Sequence, residues 1–298
     1  MIDSTKFNVG LAIRYIEHGI EHQMNADKSY HLASVVKVPI MVEAFRQIEV
    51  EKTLSLIECV ELQNRFKLSG TGILKYLDEG LSLTVQDLIT LMIIISDNTA
   101  TDILLERLGG PLRVDETMKA LGLQDIHTKM TIRQAHWDRG IRKEPLVDPR
   151  EAAKAWSEMN LIYDSASFTA SSEGNSASPK AMNNLLCRIF EGKIWSQDTC
   201  EVMMEIMYKQ QRKMRIPARL PRGTLVAHKT GTITGTANDA GIMEIDEDNH
   251  CALTVFVRDE SFLNARDPSI AVANQNAANS LIGDVALAVY NYGKTLSS

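Results

Sequence analysis

Strand-like runs of β-branched and aromatic residues lie near both ends of this chain, and helical periodicity fills the middle. Phe7-Asn-Val-Gly-Leu-Ala-Ile-Arg-Tyr-Ile reads as a strand; His18-Gly19 interrupts it, and a second strand is expected before Tyr30. From Ser34 to about Val50 the pattern is helical. Val35, Val36, Val38, Ile40 and Met41 make it apolar enough to be packed inside the protein. Thr84 to Ile95 predicts a helix with a threonine N-cap and mostly apolar faces, ended by Ser96-Asp97-Asn98. Periodicity resumes from Thr99 to Leu108, stops at Gly109-Gly110-Pro111, and returns briefly from Val114 to Leu121. Between Gln124 and Pro179 it loosens. Charges and two prolines mix from Arg133 to Arg150, Glu151 to Asn160 looks helical, and Ser-rich Asp164–Ser178 reads as a mobile surface loop. Helices return at Pro179–Glu191 and Gln197–Gln211. After the turn at Pro221-Arg-Gly223 come strand candidates Leu225–Lys229, Gly241–Ile245 and Ala252–Arg258, the last two joined by a hairpin turn at Asp246-Glu-Asp-Asn249. An Ala-rich helix, Ala271–Tyr290, closes the pattern.

The economical architecture is α/β of the α+β kind: an antiparallel sheet of N- and C-terminal strands that carries the terminal helices, with an all-helical lobe inserted. Residues 1–50 and 196–298 would form a discontinuous α/β lobe, and 51–195 the helical lobe with an enlarged loop at about 131–178. The 298 residues suffice for a real core, and a cleft between lobes is a common place for a pocket. The formal net charge of −6 gives no support to nucleic-acid binding. Cys59, Cys187, Cys200 and Cys251 lack paired metal-ligand spacing and read as buried thiols, so neither metal nor cofactor is expected. The first residues lack the apolar core of a signal peptide, which predicts a cytoplasmic protein or one exported with its leader absent from this sequence. The longest apolar run, Leu88 to Ile95 broken by Thr90, is too short to cross a bilayer.

Candidate chemistry starts at Ser34 and Lys37. Three residues apart on a helix, they share a face, and a lysine whose pKa is lowered by burial or nearby cations can take the serine's proton. Alone this decides nothing, since average composition yields about one Ser-x-x-Lys by accident in a chain of this length. Ser96-Asp97-Asn98 and Lys229-Thr230-Gly231 change that, because each tripeptide is rare by chance and the ordered set of three is far rarer. The set resembles the signature of class A β-lactamases and penicillin-binding proteins. Ser96-Asp-Asn-Thr-Ala and Leu108-Gly-Gly-Pro111 are similar to the class A helix and its exit turn, and the likeness runs, with one interruption, from about Phe7 to the C-terminus. The resemblance implies the β-lactamase/transpeptidase-like fold. It implies that Ser34 is acylated, that Lys37 is proton acceptor or relay, and that Ser96 passes a proton to the leaving nitrogen. Asn98 would hold Lys37 and the substrate's side-chain amide. Lys229 and Thr230 would meet a substrate carboxylate beside Gly231, and the N–H groups of Ser34 and Thr232 would form the oxyanion hole. Residue by residue, Asp97 and Asn98 also suit helix caps, and Thr230-Gly231 a strand kink.

The expected substrate is a small amide or ester. β-Lactams lead; a D-amino-acid peptide or small ester, and a sensor that stays acylated, are the alternatives. Three departures from the family pattern bear on turnover. Ser96 to Lys229 spans about thirty residues more than the usual class A spacing, and the excess falls where that family keeps the glutamate that activates the deacylating water. Counting forward gives Gln134, the pattern Arg-x-Glu-Pro selects Glu144 (with Asp148 four residues on), and counting back gives Ile162 with Glu173 the nearest acid. Ser69 falls where the family has an aromatic residue at the cleft mouth. Ala240 stands where many members carry a carboxylate-binding arginine, leaving Arg258, Arg222 and Arg266 as substitutes.

Overall fold

The structure is a computed structural model that describes residues 7–141, 148, 150–151, 154, 161–259, 261 and 268–296. Five antiparallel strands form the main sheet: β1 (Asn8–Tyr15), β2 (Ile20–Met24), β8 (Val226–Ile233), β9 (Thr236–Asp246) and β10 (Asn249–Arg258), in the order β2-β1-β10-β9-β8. The first and last thirds of the chain therefore meet in one sheet, as the strand pattern predicts. Lys229-Thr230-Gly231 lies inside β8, which runs on to Ile233, so the glycine makes no kink that ends the strand. On one face packs the C-terminal helix (Pro268–Leu296), where Ile282, Ala286 and Val289 meet Ile13, Val255 and Leu253.

The other face belongs to a larger core centred on α1 (Lys37–Arg46). Val38, Ile40, Met41, Val42 and Phe45 are all buried there, and each such side chain contributes about 1.5–3 kcal/mol. That is enough to offset a buried ammonium at the helix start. Around α1 stand α2 (Val85–Ile94), α3 (Asn98–Arg107), α4 (Pro111–Ala120), α6 (Pro179–Phe190) and α7 (Gln197–Tyr208). Between α4 and α6 comes α5 (Ile132–Asp138), opened by a capping box in which Thr131 and Gln134 satisfy each other's N–H groups. Thr84 and Asp87 do the same for α2.

Three sequence expectations need correction. The helix read from Ser34 begins at Lys37; Ala33–Val36 is a 3₁₀ turn. Cys59, on the short strand β4 (Cys59–Glu61) that pairs with β5 (Ser82–Thr84), is exposed, while the other three cysteines are buried thiols. The Ser-rich stretch is not a solvated surface loop along its length. Ser167, Phe168 and residues 174–178 are buried, and β7 (Ser176–Ala177) pairs on one side with β3 (Tyr30–His31) and on the other with β6 (Ile126–His127). Small side chains serve close packing here: a Cβ on Gly174 would collide with Ala166 O. Asn175 O accepts the Leu32 N–H (2.9 Å), which ties this segment to the turn holding Ser34. Glu144 lies outside the described residues, as does most of the helix read at Glu151–Asn160.

Candidate active site

The motifs converge because backbone places them together. Ser34 sits half-buried in the 3₁₀ turn, one residue after Ala33, whose φ of +47° lies in the left-handed region that costs a β-carbon residue about 1 kcal/mol or more. The turn is clamped from the sheet side. Asn238 Nδ2, on β9, donates to His31 O (2.7 Å) and Leu32 O (3.3 Å), and Gly231 of β8 lies so close that a Cβ would strike Leu32 O. Ser96 bridges α2 and α3, also in the left-handed region at φ +61°. Asp97 caps α3 by accepting the Ala100 N–H (3.0 Å), as its cap-like pattern predicts, and holds the loop before it through Ile73 N (2.7 Å) and Leu74 N (3.0 Å).

At the centre, two lysines meet one hydroxyl. Lys37 Nζ donates to Ser96 O (2.8 Å), Ser96 Oγ (3.1 Å) and Asn98 Oδ1 (2.9 Å). Lys229 Nζ donates to the same Ser96 Oγ (3.1 Å) and to Thr230 O (2.9 Å). Both side chains are fully buried. Burial pushes Lys37 down to about 7; Asp97 and Asp102 resist that, and Arg212 adds to it. Lys229 is driven well below the ordinary lysine range, first by burial and then by the charge of Lys37. Two buried ammonium groups on one hydroxyl disfavour each other's charge, which favours release of a proton from the pair. Lys37 Nζ has its three donors engaged by Ser96 and Asn98.

Other groups have no local sequence signal. Arg215 is buried and donates to Asn279 Oδ1 (2.8 Å), Gly231 O (2.7 Å), Asn238 O (2.6 Å) and Thr232 Oγ1 (2.6 Å), placing a cation behind the exposed Thr232. Burial pushes it down only to about 10, against the pull of Asp239. Of the arginines singled out from sequence, two lie within the described residues. Arg222 is exposed in a turn, Arg258 ends β10 opposite Thr236, and Arg266 is outside the described residues; Ala240 stands directly across from Lys229. Ser69 is buried, and its carbonyl accepts from Asn98 Nδ2 (3.0 Å). Among the described residues no cluster of three or more His, Cys, Asp or Glu is arranged to hold a metal ion, and no helix is long and apolar enough to cross a membrane.

A family model described as "Beta-lactamase enzyme family" matches residues 1–293. The chain belongs to that family. β-Lactamase VEB-1 of Pseudomonas aeruginosa is 26% identical over 295 residues, covering 95% of this chain and 85% of that protein. A β-lactamase from Sphaerobacter thermophilus shares the fold at a TM-score of 0.77 and 26% identity, with 98% and 94% of the two chains covered. The structure of PBP-A aligns at 0.74 and 23%, covering 99% and 92%.

Of the loop positions that the family pattern offers for an acid, Glu144 lies outside the described residues. Gln134 is exposed and engaged in the α5 capping box, and Ile162 and Glu173 are exposed. Among the described residues Asp102, on α3 one turn beyond Asn98, is a buried acid that touches the start of this loop. It accepts Ile132 N (2.7 Å) and Arg133 N (3.0 Å), fastening α5 to α3. Burial pushes its carboxyl up to about 6, against those hydrogen bonds and the charges of Arg133 and Lys37. Asp102→Asn removes an anion that favours protonated Lys37, so Lys37 should lose its proton at lower pH. The acid limb of the acylation rate is expected to move down by roughly half to one pH unit, because an opposite charge nearby stabilises the ammonium. Stopped-flow acylation between pH 5 and 9 checks this; a limb that stays put while the rate falls uniformly would assign Asp102 a structural role alone.

Proposed function

We propose that the chain is a serine β-lactamase in which Ser34 forms an acyl-enzyme. The observation that carries this reading is the meeting of two buried lysines on the Ser96 hydroxyl, with Asn98 holding the first of them. Neutral Lys37 takes the Ser34 proton as Oγ attacks the lactam carbonyl. The N–H groups of Ser34 and Thr232 receive the developing oxyanion, a contribution of about 3–4 kcal/mol per donor in comparable sites. The C–N bond then breaks, and the nitrogen takes the Ser96 proton, which Lys229 and Lys37 replace through their hydrogen bonds to that oxygen. Lys229, Thr230 and the field of Arg215 behind Thr232 suit a substrate carboxylate. Asn98, whose oxygen serves Lys37 and whose nitrogen donates to Ser69 O, has one N–H left for the substrate's side-chain amide. Under this reading the site lies between the sheet-bearing residues 1–50 and 196–298 and the helical residues 51–195.

A second reading is favoured by one feature, the lack of an acid at Gln134 or Ile162: a relative that opens β-lactams readily but releases them slowly, and whose main substrate is a peptide-like amide or ester. The second reading predicts one penicilloyl adduct by intact-mass spectrometry and a burst of chromogenic β-lactam equal to the enzyme concentration, because acyl-enzyme accumulates only when its hydrolysis is slow; the first predicts rapid turnover without that accumulation. The steady-state rate separates them: fast turnover selects the first, a weak steady state the second. A protein that neither gains mass nor turns over the β-lactam would overturn both.

A further inference from the structure

We propose that Thr71 is a positioning residue for acylation of Ser34: its hydroxyl shares with Lys37 the oxygens that hold the lysine, and so keeps the amine ready to lose its proton. This rests on the acyl-enzyme reading above and deepens it by a residue outside the three motifs.

The chain brings Thr71 to the site through its two neighbours. Gly70 (φ +91°) and Gly72 (φ +112°) both lie in the left-handed region. A Cβ on Gly70 would stand 2.7 Å from Asn98 Nδ2, and one on Gly72 would collide with Asp97. Glycine on both sides lets this strip lie flat on Ser96-Asp97-Asn98. Hydrogen bonds then fasten it along its length. Asn98 Nδ2 donates to Ser69 O (3.0 Å) and the Asn98 N–H to Thr71 O (3.0 Å). The N–H groups of Ile73 and Leu74 donate to Asp97 Oδ2 (2.7 and 3.0 Å), and Lys75 Nζ folds back onto Gly70 O. Held from both sides, Thr71 Oγ1 donates to Ser96 O (2.6 Å) and lies 3.4 Å from Asn98 Oδ1.

Those are two of the three oxygens on Lys37 Nζ, which reaches them at 2.8 and 2.9 Å. The coincidence has a chemical consequence. A carbonyl oxygen has two lone pairs, so Ser96 O accepts from both donors, yet each draws on electron density that the other uses. Hydrogen bonds to an ammonium favour its charged form, and a hydroxyl that takes a share of the acceptor weakens that support. Thr71 does this without adding a further charge to the site.

The charged groups around Lys37 do not duplicate the effect. Asp97 and Asp102 on α3 help it keep its proton, while Arg212, after α7, opposes it. Lys229 on β8 and Lys37 repel each other's charge. On the near side of the strip, Lys75 is turned to Gly70 O, and His136 of α5 borders Gly70. These groups act by charge; Thr71 acts through the oxygens that Lys37 itself touches.

Thr71→Val removes the hydroxyl and keeps the shape. Ser96 O then serves the ammonium alone, so Lys37 holds its proton to higher pH and the acid limb of acylation moves up. The sign is opposite to that expected of Asp102→Asn, where an anion is lost. General damage to the site would not move the two limbs in opposite directions.

The test uses the whole chain in excess over a chromogenic β-lactam, so that a single turnover reports ring opening whatever the later hydrolysis rate. Stopped-flow traces between pH 5 and 9 compare the parent with Thr71→Val, Thr71→Ala and Thr71→Ser. The limb is expected to rise by about half a pH unit in the Val and Ala variants, so the ratio of the rate at pH 9 to that at pH 6 grows about threefold. Thr71→Ser keeps the hydroxyl and should bring the limb back to its parental place. Thr71→Ala loses the hydroxyl without the added methyl, so misfolding of one variant, visible in a thermal melt, leaves the other to decide. A purely structural Thr71 would slow acylation alike at every pH and leave that ratio where it was. That result would overturn the proposal, as would a limb that moves down or a serine variant that behaves like the valine one. A parent that neither gains mass nor opens the β-lactam sinks the acyl-enzyme reading itself, a result visible before any variant is compared.

Discussion

Ser34→Ala is expected to erase the penicillin adduct and reduce β-lactam turnover by a factor on the order of 10⁵–10⁶, the scale on which a serine hydrolase loses rate when its nucleophile is removed. The loss should be purely chemical. Ser34 is half-buried, and among the described residues its hydroxyl has no hydrogen-bond partner. The turn around it is held by other atoms: Asn238 on the carbonyls of His31 and Leu32, Asn175 on the Leu32 N–H, and Gly231 pressed against the turn. The Ala variant should therefore unfold within about 0.5 kcal/mol of the parent and still bind substrate noncovalently. Intact-mass spectrometry against a thermal melt separates the two effects. An adduct that survives in the variant would place the nucleophile elsewhere.

How far the sequence reveals this arrangement depends on how local each cause is. Ser96-Asp97-Asn98 is legible because three chemical roles are packed into one helix junction: a hydroxyl for both lysines, a cap for α3 and an amide for Lys37. Lys229-Thr230-Gly231 is legible for the same reason, its glycine being demanded by the neighbouring turn. The long core helix and the two terminal groups of strands announce themselves through period and β-branching. The Ser-rich segment misleads because Ser, Ala and Gly are equally at home in solvent and in close backbone packing, and only its pairing with β3 and β6 decides between them.

Arg215 and Asp102 show the other limit. Nothing beside Arg215 in the chain marks it; its role comes from Gly231, Thr232 and Asn238, which reach it through the β8–β9 register. Asp102 acquires its role only through Ile132, thirty residues later, where it fastens the start of α5. A faint signal was present: Thr131-x-x-Gln134 marks a helix start, and Asn98 and Asp102 share a helical face. Counting along the loop from fixed landmarks could not use it, since the extra residues fall between them.

The second large effect is expected at Lys37. Lys37→Ala should slow acylation by about 10²–10⁴, the usual range for loss of a positioned general base. The sign of the pH dependence follows from the value near 7: the amine is the base only when neutral, so parental acylation should rise as pH increases through 7 and then level, while the Ala variant should lack that limb. Substrate binding should persist. With Lys37 gone, Lys229 loses the like charge that, after burial, does most to lower its proton affinity, so it stays cationic to higher pH and attracts a carboxylate at least as well. The loss should thus fall on the acylation rate constant, with the noncovalent dissociation constant unchanged or tighter. Lys37→Arg should be equally slow, because a guanidinium keeps its proton throughout this range and cannot accept the one from Ser34. Stopped-flow traces at several β-lactam concentrations resolve binding from acylation. Parental acylation in the Ala variant would show that the proton of Ser34 leaves by another path, for which the hydrogen-bonded pair of Ser96 and Lys229 is the next candidate.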